Sequence, residues 1–198
     1  YLRLMEARHA VEQGQLEKAL TLGQDALVLL EQDGRDHALD RIEGLDILAS
    51  IFQAVGSRRK ANEILQTAET LADQNLSPDH PMRGRLLTRQ SSINGFLGNR
   101  SLSCRQAQDS VRILRSVLPL ENLEMTSAYV QYGAALCDQK QYELGINAYQ
   151  EGLNGHPEIE PRLRTNLGLL LHRMGRFEES AIEGKKAVEL FTAKYGAE

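Results

Sequence analysis

No apolar run in this chain is long enough to cross a bilayer. The longest, such as Leu167 to Leu171, fall far short of the ~20 residues a membrane helix needs, so a membrane protein is not expected. Cysteine is scarce: Cys104 and Cys137 are the only two, and they lie in different repeats with no metal-ligand spacing. They read as reduced interior or groove residues of a cytoplasmic protein. Positive charge is not in excess either, since the net charge of −4 argues against direct nucleic-acid binding by this segment. There is no glycine-rich phosphate loop and no Ser/His/Asp constellation. The five histidines (His9, His37, His80, His156, His172) lack the close spacing of a metal site, and His80 and His156 each precede a proline, where a loop role is expected. No enzyme activity, cofactor or metal is therefore expected. No initiator methionine or signal-peptide pattern precedes Tyr1, so the sequence reads as a segment of a longer protein.

What the chain does have is a repeat. Gly14, Gly56, Gly98 and Lys140 are spaced 42 residues apart, and a fifth mark, Gly175, follows 35 further on. Three columns around these marks hold only small residues. Seven positions before lie Ala7, Ala49, Ser91, Gly133 and Gly168; five after lie Ala19, Ala61, Ser103, Gly145 and Ser180; twelve after lie Ala26, Ala68, Ser110, Gly152 and Ala187. Small residues at fixed offsets mark places where two helices cross too closely for a longer side chain, so each copy is one helical hairpin stacked on its neighbours. The implied fold is all-α, a stack of five helix-turn-helix hairpins. It forms one elongated domain over residues 1–198, with repeats at about 1–37, 38–79, 80–121, 122–157 and 158–198.

Within each copy a helix A, a turn at the marked residue and a helix B follow in order. In the second copy the spacing predicts helix A from about Leu39 to Val55 and helix B from about Arg58 to Gln74. Glycine at the mark supplies a left-handed backbone for the tight turn, so Lys140 should make its turn strained or differently shaped. Pro81 and Pro161 signal helix starts, where a missing N–H is tolerated. Loops are expected at Gln32 to His37, Leu76 to Pro81, Leu118 to Asn122 and Asn154 to Pro161.

The fifth copy carries Asn166-Leu167-Gly168, Met174-Gly175-Arg176-Phe177-Glu178-Glu179-Ser180 and Lys186-Ala187-Val188-Glu189-Leu190. This resembles the tetratricopeptide repeat, with its Leu-Gly pair, Gly-x-aromatic turn and later Ala. The resemblance extends over the whole chain and is weaker in copies one and three. Arg58 in copy two and Arg100 in copy three stand where the turn aromatic belongs, and Asn94 takes a normally apolar place. The 42-residue period is similar to the long-helix variant of kinesin light chains, of bacterial regulators of the maltose-activator type and of tails of bacterial signalling proteins.

The resemblance implies that the five hairpins form a right-handed superhelical stack whose A helices line a concave groove that binds a peptide or partner protein. Counting inward positions from Tyr1 onward gives Arg8, Glu43, Asp46, Arg85, Arg89, Gln131, Arg162, Asn166 and His172 as its polar candidates. Arg85 and Arg89 match the basic pair with which chaperone-binding members hold a carboxylate, but Leu4, Arg8 and Ile47 occupy the other clamp places, so that clamp is not reproduced. Two readings of the pair stay open: ion pairing with Glu43 and Asp46 on the adjacent helix, each bond worth ~0–1 kcal/mol at a surface, or a grip on an acidic segment of a partner. Between Met82 and Ser116 seven arginines face a single acid, Asp109.

The function implied is non-catalytic protein–protein interaction, as a segment of a larger bacterial regulatory or signalling protein. The alternative is a ligand- or peptide-responsive sensor domain of a transcriptional regulator. The third repeat, poor in apolar residues, should be the softest interior repeat. No polar capping helix closes the array, so the chain is expected to continue beyond Glu198. An apolar face around Leu170, Ala187 and Leu190 should then be uncovered and open to self-association.

Overall fold

The computed structural model describes residues 2–32 and 38–196; Tyr1, His37 and residues 33–36 of the first expected loop lie outside the described residues. The described residues form five antiparallel helical hairpins. They pair α1 (Leu2–Glu12) with α2 (Leu16–Gln32), α3 (Ala38–Ala54) with α4 (Arg58–Asn75), and α5 (Pro81–Phe96) with α6 (Arg100–Val117). The last two pair α7 (Leu123–Asp138) with α8 (Tyr142–Leu153), and α9 (Glu160–Arg173) with α10 (Phe177–Tyr195). The spacing between the fourth and fifth marks contracts because α8 has 12 residues where α4 and α6 have 18.

The turns are built alike. In the second, the Gly56 N–H donates to the Gln53 carbonyl and the Ser57 N–H to the Phe52 carbonyl, and the same pair of bonds recurs at Gly14, Gly98, Lys140 and Gly175. This is a Schellman closure, which requires a left-handed residue after the helix. Lys140 adopts it with φ 62°, the one non-glycine positive φ among the described residues, beside glycines at 71° to 85°. The fourth turn is thus not differently shaped, because neighbouring hydrogen bonds dictate its path; the strain falls on the Lys140 backbone itself.

The small columns are the crossing points. Fourteen of the fifteen cells are buried, and only Ser180 is half-buried. Backbones approach so closely there that serines bond across the hairpin: the Ser91 hydroxyl donates to the Ser103 carbonyl and the Ser103 hydroxyl to the Ser91 carbonyl, each at 2.8 Å. The Ser110 hydroxyl reaches the Gly84 carbonyl at 2.7 Å, and Ser180 that of Gly168 at 2.8 Å. A side chain longer than serine would hold the helices apart.

Stacking sets the curvature. The backbone of each A helix comes close to that of the next A helix, α1 to α3 through to α7 to α9, whereas among the described residues no two B-helix backbones approach each other in this way. The A helices therefore line the inner face and the B helices splay outward. The apolar interior is continuous from Leu4 to Ile93 and resumes in clusters around Leu114, Met125 and Tyr129 and around Leu163, Leu167 and Leu170. Between them, in the third hairpin, a polar relay replaces it: Glu69 accepts from Gln90 (2.9 Å), Gln90 from Gln106 (3.3 Å), Gln106 from Asn94 (2.9 Å) and Asn94 from Asn99 (3.0 Å). Asn94 thus has partners at its apolar-type position. Where Arg58 replaces the turn aromatic, its guanidinium lies 4.5 Å over the ring of Phe96, restoring a contact to the next repeat.

His80 and His156 serve the backbone, their Nδ1 atoms accepting from the Met82 and Glu158 N–H groups. Leu170 and Ala187, expected at an uncovered face, are buried, and Leu190 is half-buried. The packing of α10 on α9 covers them, and the apolar side chains that α10 exposes are instead Phe177, Ile182, Val188 and Phe191. No helix among the described residues is long and apolar enough to cross a membrane.

Candidate functional site

The inner face holds a concavity of about 630 Å³ lined only by A helices and the loop entering α7. Arg8 of α1, Arg85 and Arg89 of α5, Gln131 of α7 and Arg162 of α9 open into it, together with Ile47, Ser50, Gln53 and Ser127. Five of the nine candidate residues therefore share one site, and side chains from the first and last hairpins meet there. The inward spacing predicts this because residues three and four apart share a helix face.

Asp46 lies buried behind two of the lining arginines. Both arginines of α5 converge on it: Arg85 Nη2 lies 2.7 Å from one carboxylate oxygen, Arg89 Nη2 donates to the carboxylate at 3.2 Å, and Arg89 Nε donates to its other oxygen. Burial alone would raise the Asp46 carboxyl, but the Arg89 and Arg85 guanidiniums outweigh it and hold the group below the ordinary carboxylate range. The bridge joins the second hairpin to the third, and because Asp46 is buried it is no surface pair of the weak kind. Glu43, the other expected acid, makes no ion pair among the described residues; it stands off half-buried while Arg85 Nη1 turns to Glu124 at 3.4 Å. The pairing expectation is thus met by Asp46 and corrected for Glu43, whose place is taken by an acid from the repeat on the other side.

Gln131 donates to the Ser91 hydroxyl at 3.2 Å, and Gln53 to Ser92 at 3.2 Å, so neutral side chains also tie adjacent A helices across the wall. Arg162 differs from the other candidates. It has no ion-pair partner among the described residues, and although it is exposed, the walls of the concavity desolvate its guanidinium and lower its pKa. The Asp46 carboxylate is already shared between Arg85 and Arg89, and the lining itself carries four arginines and one acid, Glu124.

Asn166 and His172 lie elsewhere. Asn166 lines a smaller depression with Cys137, Asp138 and Arg173, and His172 is exposed with its ring edge-on to Phe177, 5.1 Å between centroids. Both cysteines are free and half-buried, and burial pushes their thiols up, away from nucleophilic character. Inward counting along the sequence missed Glu124. It sits one turn before the first inward position of its copy, at the start of α7 just after Asn122, whose side chain accepts from the Glu124 N–H at 2.8 Å. An acid in the first turn of an A helix is the signal that could have found it. Among the described residues no group of three His, Cys, Asp or Glu side chains is placed to hold a metal ion.

The fold and site define a class: a solenoid of helical hairpins whose inner helices shape a polar, arginine-rich groove. The particular architecture is the tetratricopeptide-type superhelix. No family model and no curated protein matches the chain. Among solved structures, BtubC (BKLC) from P. vanneervenii superposes with a TM-score of 0.79 at 16% identity, covering 97% of this chain and 79% of that one. A putative kinesin light chain of Podospora anserina with nearly identical TPR-like repeats gives 0.77 at 14% identity over 98% and 95%. A thermophilic TPR protein of Thermus thermophilus gives 0.71 at 20% identity over 95% and 89%. These likenesses establish the fold.

Proposed function

We propose that this chain is a non-catalytic protein–protein interaction module that holds an acidic segment of a partner in its concave groove. We further place it in the cytoplasm, as the recognition segment of a larger bacterial regulatory or signalling protein. One observation carries the reading: four arginines from α1, α5 and α9 converge on a single concavity whose lining contains one acid, Glu124. Forked guanidinium donors hold carboxylates in two-point contacts, and several in one partly desolvated wall strengthen each such bond. Burial of Asp46 beneath two of them keeps the wall rigid before any partner arrives, which limits the ordering cost of binding.

Panning a phage-displayed random dodecapeptide library against the immobilised chain tests the reading. Acidic sequences should be enriched, and Arg162→Glu should abolish their capture while leaving the melting temperature unchanged. Enrichment of basic or apolar sequences, or equal capture by Arg162→Glu, refutes an acidic partner in this groove.

A further inference from the structure

We infer that Glu124 is a built-in competitor of the groove: its carboxylate holds the outward donor of Arg85, and an acidic partner binds by displacing it. The inference rests on the reading of the concavity as an acidic-peptide site.

The donors of Arg85 are unequal. Nη2 is committed to Asp46 at 2.7 Å, a carboxylate with no solvent exposure that nothing from outside can reach. Nη1 meets Glu124, another residue of the lining, at 3.4 Å, a long contact to a side chain that is 38% exposed. Arg89 commits both Nε and Nη2 to Asp46. Within this pair, the nitrogens left to a ligand are Arg89 Nη1 and Arg85 Nη1, and Glu124 stands on the second of them. A partly exposed ion pair of this length is held weakly, so the exchange costs little. Glu124 also has somewhere to go, because the N-terminal end of α7, capped by Asn122, favours a carboxylate whichever way the side chain swings. Arg162, on the same wall and without an ion-pair partner among the described residues, supplies a second donor to the incoming carboxylate. Glu124 thus makes the empty groove less attractive to weakly acidic sequences and sets a threshold of acidity for partners.

Fluorescence anisotropy with a terminally blocked, fluorescein-labelled octaglutamate, and octalysine as control, reads this directly. Glu124→Gln should bind octaglutamate about fivefold or more tightly than the parent, the lower end of a typical coupling between competing contacts. Glu124→Asp, which keeps the charge and loses one methylene of reach, should also bind more tightly. Glu121→Gln, an equal charge change on an exposed loop residue outside the concavity, should stay within about twofold of the parent, as expected for a screened charge. Gains with Glu124→Gln and Glu124→Asp but not Glu121→Gln support displacement. Equal gains from Glu124→Gln and Glu121→Gln, or parental affinity in Glu124→Asp, overturn it while leaving the acidic groove standing. Failure of octaglutamate to bind any variant, or binding undiminished in Arg162→Gln, sinks the groove reading and the inference with it.

Discussion

Asp46→Asn removes one buried charge while keeping the side chain's shape, so it isolates what the carboxylate contributes. In the parent, Asp46 is fully buried and is shared by two guanidiniums whose side chains are 28% and 25% exposed. Breaking a buried pair by removing one partner costs about 3–5 kcal/mol, because the remaining charge is left uncompensated. Here the arginines keep an edge to solvent and can rehydrate, and the amide oxygen of asparagine still accepts one bond, so the expected loss is about 2–3 kcal/mol. Urea unfolding followed by circular dichroism measures it. The pH dependence supplies a second check, since the folded-state pKa of Asp46 lies below its ordinary value of 3.8. The unfolded chain therefore takes up the proton first, and the stabilisation is complete above that ordinary value and fades as pH falls through the lower folded value. The gap between parent and variant should hold from neutral pH down to the ordinary carboxylate range and close only in stronger acid. A gap under ~0.5 kcal/mol at neutral pH, the scatter of unremarkable surface changes, or one that persists unchanged in strong acid, refutes the argument.

Lys140→Gly should stabilise the chain by ~0.5–1 kcal/mol, since the left-handed lysine costs ~1–2 and glycine's extra freedom when unfolded gives back part of that; a lower melting temperature would count against it. Ala61→Leu and Gly133→Ala should each destabilise by ~1–3 kcal/mol through overpacking, Ala61 being fully buried and a Cβ on Gly133 colliding with the Tyr149 ring. Either variant melting like the parent would mean the crossing points are misplaced. Amide hydrogen exchange should be faster in α5 and α6 than in α3 and α4, because the polar relay from Glu69 to Asn99 interrupts the apolar interior there. Uniform protection across the four helices would show that the relay stabilises as well as leucine does.

The groove's main wall was legible in the sequence. Arg8, Arg85, Arg89, Gln131 and Arg162 were found by counting inward positions, and all five line the concavity. Asn166 and His172 of the last hairpin do not line that concavity. Asn166 lines a separate depression with Ala134 and Cys137 of α7, and His172 is exposed against Phe177. Counting missed Glu124, because a residue in the first turn lies outside the inward spacing of the helix body.

What the sequence alone determined are the features each hairpin settles within itself. The 42-residue marks place the turns, and the columns of Ala, Ser and Gly place the close crossings, because a backbone path and a missing side chain are local demands that only certain residues meet. Only the tertiary structure decided the features that depend on how one hairpin sits upon the next. It chose Asp46 over Glu43 as the shared partner of Arg85 and Arg89, brought Glu124 from the following repeat onto Arg85, and covered Leu170 and Ala187. Long charged side chains reach several neighbours from one backbone position. Which of them pair is therefore set by the angle between stacked helices, which no spacing along a single chain records.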